Sequence, residues 1–143
     1  MSEIEFEIKK AVLEILENHN ALSLATTGSE YSPWILSVYF ANDDFDIYFF
    51  LEESGKTIRN IAINKNVAIA ISQNDATKDF LQAYGQITLL QKKEDEFVRN
   101  MLISKMPWFQ TYTQVFPVKL KIDRYFVSSF SRKWFPAKEL KLL

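Results

Sequence analysis

The chain contains no cysteine, a single histidine and only three glycines in 143 residues. The missing thiols exclude disulfides, thiol catalysis, iron–sulfur clusters and thiolate zinc sites. A lone histidine, His19, builds neither a cysteine–histidine pair nor a histidine-based metal site. At the end of a predicted helix it reads as a charged partner for the C-terminal dipole. No apolar run approaches the ~20 residues of a membrane span. The start, MSEIEFEIKK, is charged and alternates, unlike a secretory leader. The expectation is a cytoplasmic protein without a membrane partner. A formal net charge of −1 lacks the basic excess of a nucleic-acid binder, so no nucleic-acid partner is expected.

What the chain does have is apolar and aromatic mass. Hydrophobic residues make up 48%, including 12 Phe, 6 Tyr and 3 Trp, enough to bury a core without staples. The length predicts one domain over 1–143. Charge is uneven: residues 115–143 carry seven Lys/Arg against Asp123 and Glu139, whereas Glu3, Glu5, Glu7, Glu14 and Glu17 make the N-terminal segment acidic. Two solvated ends explain this without a ligand.

Ser2 and Glu5 form a capping box ahead of Ile4, Ile8, Val12, Ile15 and Leu16, whose spacing predicts a helix over 3–18. The period then changes. ALSLATT, SPWILSVYFA and DIYFFL read as strands joined by turns at Gly28-Ser29 and Asn42-Asp43-Asp44, an antiparallel meander. Residues 55–64 read as a short helix burying Ile58, Ile61 and Ala62, with Ser54 as its N-cap. NVAIAIS and FLQAYGQITLL are further strands, and Gly85 within the second signals a bulge or close backbone approach. KKEDEFVRNMLISKM is a second amphipathic helix with Phe97, Met101 and Leu102 inward. VFPVKLKIDRYFVSSF is a sixth strand, and SRKWFPAKELKLL an irregular tail. The predicted class is mainly β with flanking helices: a six-stranded antiparallel barrel or strongly curled sheet.

Ser54-Gly55-Lys56-Thr57 stands between a strand and a helix. A nucleotide-binding P-loop needs a glycine five positions before Gly55, and Phe50 is there. A simpler anion site fits: amides of a helix start, hydroxyls of Ser54 and Thr57, the ammonium of Lys56, and Arg59 one turn on. The alternative is a capping serine beside a solvated lysine. The paired carboxylates Glu52-Glu53 and the Glu94-Asp95-Glu96 run read as structural. The aromatics crowding the C-terminal third, from Trp108 to Phe135, read as packing or as the wall of a flat ligand.

The ordered set LSLATT, SPW, IYFF, a serine and a lysine flanking one residue, INKNVAIAI and QAYGQITLL resembles the pyridoxamine 5′-phosphate oxidase-like, FMN-binding split-barrel superfamily over about residues 20–90. The resemblance implies a homodimeric split barrel with a cofactor groove at the interface, and a flavin-dependent oxidoreductase acting on a small molecule. It also implies FMN as cofactor, with a deazaflavin as the variant. Carried over, Ser54 and Lys56 match the phosphate turn, and the Thr57 hydroxyl stands beside them as a further candidate. Phe49, Phe50 and Leu51 match the strand end flanking the flavin. Trp34, Ile35, Leu36, Ser37 and Val38 match the strand along the ring. Oxidase-type members place an arginine and a lysine where this chain has Leu36 and Ala41, and often an arginine where it has Gly55. These departures leave open a non-enzymatic flavin or small-ligand binding module. Haem-binding split barrels use a C-terminal histidine, and this chain has none there. No residue stands out as a catalytic acid or base.

Overall fold

The structure is a computed structural model describing residues 1–143. Ser2 accepts the N–H of Glu5 at 3.1 Å and starts α1, Glu3–Asn18, whose Ile8, Ala11, Val12, Ile15 and Leu16 face inward. The strands are β1 (Ala21–Thr26), β2 (Trp34–Tyr39), β3 (Ala41–Asp43), β4 (Asp46–Glu52), β5 (Asn66–Ile71), β6 (Phe80–Leu89), β7 (Val115–Ser129) and β8 (Trp134–Lys141). Helix α2 (Lys56–Ile63) follows β4, and α3 (Asp95–Lys105) lies between β6 and β7 after one 3₁₀ turn. The expected split-barrel class holds, with eight strands in place of six.

All pairings are antiparallel, in the order β2-β1-β5-β6-β7-β4-β3, with β8 added on β7. The expected meander is corrected here. β2 pairs with β1 alone and forms one edge of the sheet; β4 pairs with the distant β7. The reason lies in β4, where five consecutive buried residues, Ile47 to Leu51, need cover on both faces. β7 supplies that central position, and α3 covers the outside.

The 15-residue β7 is the common wall of the molecule. It runs along β6 for almost its whole length, while its other edge meets β4 through residues 115–120 and β8 through residues 124–129. The tail read as irregular is this β8. Its buried Trp134 and Leu140 close the core, with exposed residues between them. At Gly85 the β6–β7 ladder slips by one residue, and a Cβ there would come within 2.0 Å of the Lys121 carbonyl. Only glycine permits that approach.

One core of 25 residues fills the interior, with Phe49 and Leu51 inside it. A second cluster of six, Ala41, Tyr48, Phe50, Val98, Leu102 and Met106, lies on the opposite face of β4 beneath α3. The inward face of α3 is thus Val98 and Leu102, rather than Phe97, which is exposed. Each large side chain so buried contributes about 1.5–3 kcal/mol. No helix is long and apolar enough to cross a membrane.

Candidate functional site

β4 ends in a tight turn, Gly55 N–H donating to Glu52 O at 3.1 Å. α2 then starts at Lys56 with Gly55, not Ser54, at the N-cap, and no side chain caps it. The expected serine cap is therefore corrected: Ser54 is exposed in the turn, one residue too early to reach back. The uncapped first turn presents N–H groups and a partial positive charge. Thr57 is 3% exposed, and its Oγ1 is a buried hydroxyl without a hydrogen-bond partner. Lys56 is exposed but not free. Its Nζ lies 5.3 Å from the centroid of the Tyr31 ring and 5.7 Å from that of Trp34. Arg59 is committed elsewhere: it pairs with Glu30 and lies over Tyr31 at 5.2 Å.

The buried face of α2 is Thr57, Asn60 and Ile61, rotated from the expected Ile58, Ile61 and Ala62. Asn60 hydrogen-bonds Thr26, Ser29 and Tyr31, and Asn64 donates to Thr27 Oγ1 at 3.0 Å. The β1–β2 connection is thereby tied to the helix. Gly28 sits against it with φ +140°, and a Cβ there would meet the Asn60 carbonyl at 2.6 Å.

Along β2, Trp34, Leu36 and Val38 are half-buried, while Ile35, Ser37 and Tyr39 point outward. Five rises of about 3.3 Å separate Trp34 from Tyr39 by roughly 16 Å. At the far end a cavity of about 240 Å³ opens between Ser37–Tyr39, Phe50 and Glu52 on one side and residues 109–113 on the other. Its walls are aromatic. Phe50 stacks on Phe109 at 5.9 Å, and Tyr39 meets Trp108 edge-on at 5.0 Å. Behind Phe50, the Arg99 guanidinium lies 4.5 Å from the ring, held by Asp95 and Thr111. Arg99 in turn holds the Asp95 carboxyl below its ordinary range. Glu52 is the one ionisable group with a carboxylate on the lining, and no basic side chain joins it.

The structure thus groups Trp34 with Lys56, and Ser37 and Val38 with Phe50. The side chains of Phe49 and Leu51 are sealed in the core, at 0% and 1% exposure, and offer a ligand only backbone. Ile35 lies on the outer face. Tyr31, Tyr39 and Asn60 escaped the sequence reading, whereas Phe109 stands among the aromatics expected to pack or to wall a flat ligand. Asn60 carried no such signal, since the expected face of Ile58, Ile61 and Ala62 leaves position 60 outside.

The remaining polar groups are structural. At the C-cap of α1, His19 donates from Nδ1–H to the Ile15 carbonyl at 2.8 Å. Glu53 pairs with Lys92. Lys105, at the end of α3, donates to the carbonyls of Leu16, His19 and Phe40 and covers the Phe40 ring at 3.9 Å. Burial lowers its pKa to about 8.

A family model described as Pyridoxamine 5′-phosphate oxidase matches residues 8–117. No curated protein matches the sequence. Among solved structures, General Stress Protein 26 from Bacillus anthracis is 18% identical, with 95% of this chain and 99% of that one covered, at TM-score 0.72. A heme binding protein from Mycobacterium smegmatis is 15% identical, covering 99% of this chain and 59% of that one, at TM-score 0.73. HutZ, a heme storage protein from Vibrio cholerae, is 13% identical, covering 79% and 88%, at TM-score 0.64. At these identities the likeness is one of fold.

Proposed function

We propose, for a chain that belongs to the pyridoxamine 5′-phosphate oxidase family, that the strip from α2 to the aromatic cavity binds FMN and serves a flavin-dependent oxidoreductase. The observation that carries this reading is the unpartnered, buried hydroxyl of Thr57 beside the uncapped start of α2 and the Lys56 ammonium. A buried polar atom left unpaired costs free energy, and a phosphate oxygen would satisfy it. Amides, hydroxyl and ammonium together suit a dianionic monoester.

The ring end has a matching place. The roughly 16 Å of β2 between Trp34 and Tyr39 leads from the anion corner to the cavity under Phe109 and Phe50. Aromatic walls there suit a flat heterocycle. When bound, the flavin would supply the redox chemistry. The chain's own residues hold and orient: Lys56 and Thr57 at the phosphate, Ser37 and the β2 backbone along the ring, Phe50 and Phe109 excluding water. A second copy would complete the groove. This is supported by the outer face of β2, β1, β5 and β6, where small residues such as Ala25, Ala68 and Ala70 lie among the exposed Ile35, Tyr39 and Tyr84.

The absence of basic residues at Leu36 and Ala41 favours the second reading, a flavin-binding module without turnover. The decisive measurement is the absorption spectrum of freshly purified protein, alone and with FMN. Flavin bands at one FMN per chain, with steady oxidation of a reduced nicotinamide or flavin donor, support the oxidoreductase; bands without turnover support the binding module. A Soret band on heme addition with no uptake of FMN overturns both.

A further inference from the structure

Asn60 is at 0% exposure, yet every hydrogen-bonding position of its side chain is filled. Nδ2 donates to Thr26 Oγ1 at 3.0 Å and to the Tyr31 carbonyl at 2.9 Å. Oδ1 accepts the Ser29 N–H at 2.9 Å and the Ser29 hydroxyl. An apolar residue of the same size would take the amide partner from Thr26, Ser29 and the Tyr31 carbonyl. A fully satisfied polar network instead specifies one arrangement of what it joins.

What it joins is residues 29–31 to α2. Those residues carry the Tyr31 ring, which lies 5.3 Å from Lys56 Nζ, 5.2 Å from the Arg59 guanidinium and 6.2 Å from the Trp34 ring. Glu30 holds Arg59 from the same segment. An unbroken series of contacts therefore runs from the Asn60 amide through the connection to two aromatic faces and then to the ammonium.

We infer that Asn60 is the positioning residue of the anion corner, holding Tyr31 and Trp34 so that the Lys56 ammonium is aimed before a phosphate arrives. The role rests on the FMN reading above, because it names what Lys56 is aimed at. Two physical effects follow. The ammonium is attracted to the faces of both rings. A lysine already confined loses less rotamer freedom on binding than one waving in solvent.

The test compares FMN with riboflavin, which lacks the phosphate, on the full chain by fluorescence titration. The ratio of their affinities isolates the phosphate's contribution. Asn60→Ala is expected to lower the ratio by about tenfold, the scale of one charge-assisted hydrogen bond, while riboflavin affinity stays within about twofold. Ser29→Ala, which removes one of the four bonds together with the acceptor of the Tyr31 N–H, should lower the ratio about threefold. A merely structural role would weaken both flavins alike. A flavin-free readout accompanies it: the ring currents of Tyr31 and Trp34 shift the Lys56 ε-methylene protons upfield in NMR spectra, and both variants should return them toward the value of a solvated lysine. If wild type takes up neither flavin, the functional reading fails, and the proton shift alone decides whether Asn60 positions Lys56. An unchanged affinity ratio, or an unmoved Lys56 resonance in both variants, overturns the inference.

Discussion

α2 and α3 are each fastened to the rest of the molecule by one polar side chain, buried Asn60 and half-buried Lys105, and the two fastenings differ in kind. Asn60 is neutral, and its donors and acceptors are all matched. Lys105 is a cation gathered by three carbonyls, at the ends of α1 and the start of β3. A neutral junction holds the same geometry at any ordinary pH and leaves the neighbouring charge, Lys56, available to a ligand. A charged junction has to satisfy its own charge, and it brings a pH dependence with it. The first kind sits beside the candidate anion site; the second sits behind the α3 arm, far from it.

The largest effect should come from breaking the neutral junction. Asn60→Ala takes the amide partner from Thr26 Oγ1, the Ser29 N–H and the Tyr31 carbonyl, and is expected to cost about 3–4 kcal/mol in urea denaturation. Gly28→Ala attacks the same junction through the backbone. With φ +140° and the Asn60 carbonyl 2.6 Å from the new Cβ, it should cost about 2–3 kcal/mol. Lys105→Met keeps the stem that packs on Phe40 and removes the charge; about 2 kcal/mol at neutral pH is expected, since three carbonyls lose their donor.

The pH dependence sharpens the contrast. The Lys105 pKa falls from 10.5 to about 8 on folding because the amine is buried. Below about pH 8 both folded and unfolded chains hold this proton, and the cost of burying the charge is present in full. Between about 8 and 10.5 the unfolded chain binds more protons, so this group's contribution rises with pH. The stability gap between wild type and Lys105→Met, from urea melts at about pH 7 and about pH 9.5, should therefore widen at the higher pH. The gap to Asn60→Ala should not change. Equal behaviour of the two gaps would erase the distinction between the junctions.

Much of this architecture could be read from side-chain period. Leu22 and Leu24 alternate with small residues, and the Ser2–Glu5 cap marks the first helix; both appear where expected. Gly85 announced its bulge because no other residue tolerates that approach. Reading failed where period carries no information. IYFFL is apolar at every position, so nothing distinguished the sealed Phe49 and Leu51 from the outward Phe50. β8 buries only Trp134 and Leu140, six residues apart, and an edge strand under such one-sided cover shows no alternation. β3 has three residues, too few for any pattern.

The candidate site followed the same logic. Lys56 and Trp34 were legible as residue types in an ordered motif. The contacts that join them, through Tyr31, were not, because the β1–β2 connection carries no periodic signal. Asn60 was hidden by its polarity: a hydropathy pattern places amides outside, and four long-range bonds placed this one inside.

The shared wall β7 has a consequence for how the molecule comes apart. Because β4 and β8 both hang from one strand edge while β6 holds the other, neither half of the sheet has a boundary along which to separate. Partial opening is expected at the edge strands β2, β3 and β8, and the β7 amides that face β6 should trade their hydrogens with water only when the whole chain lets go.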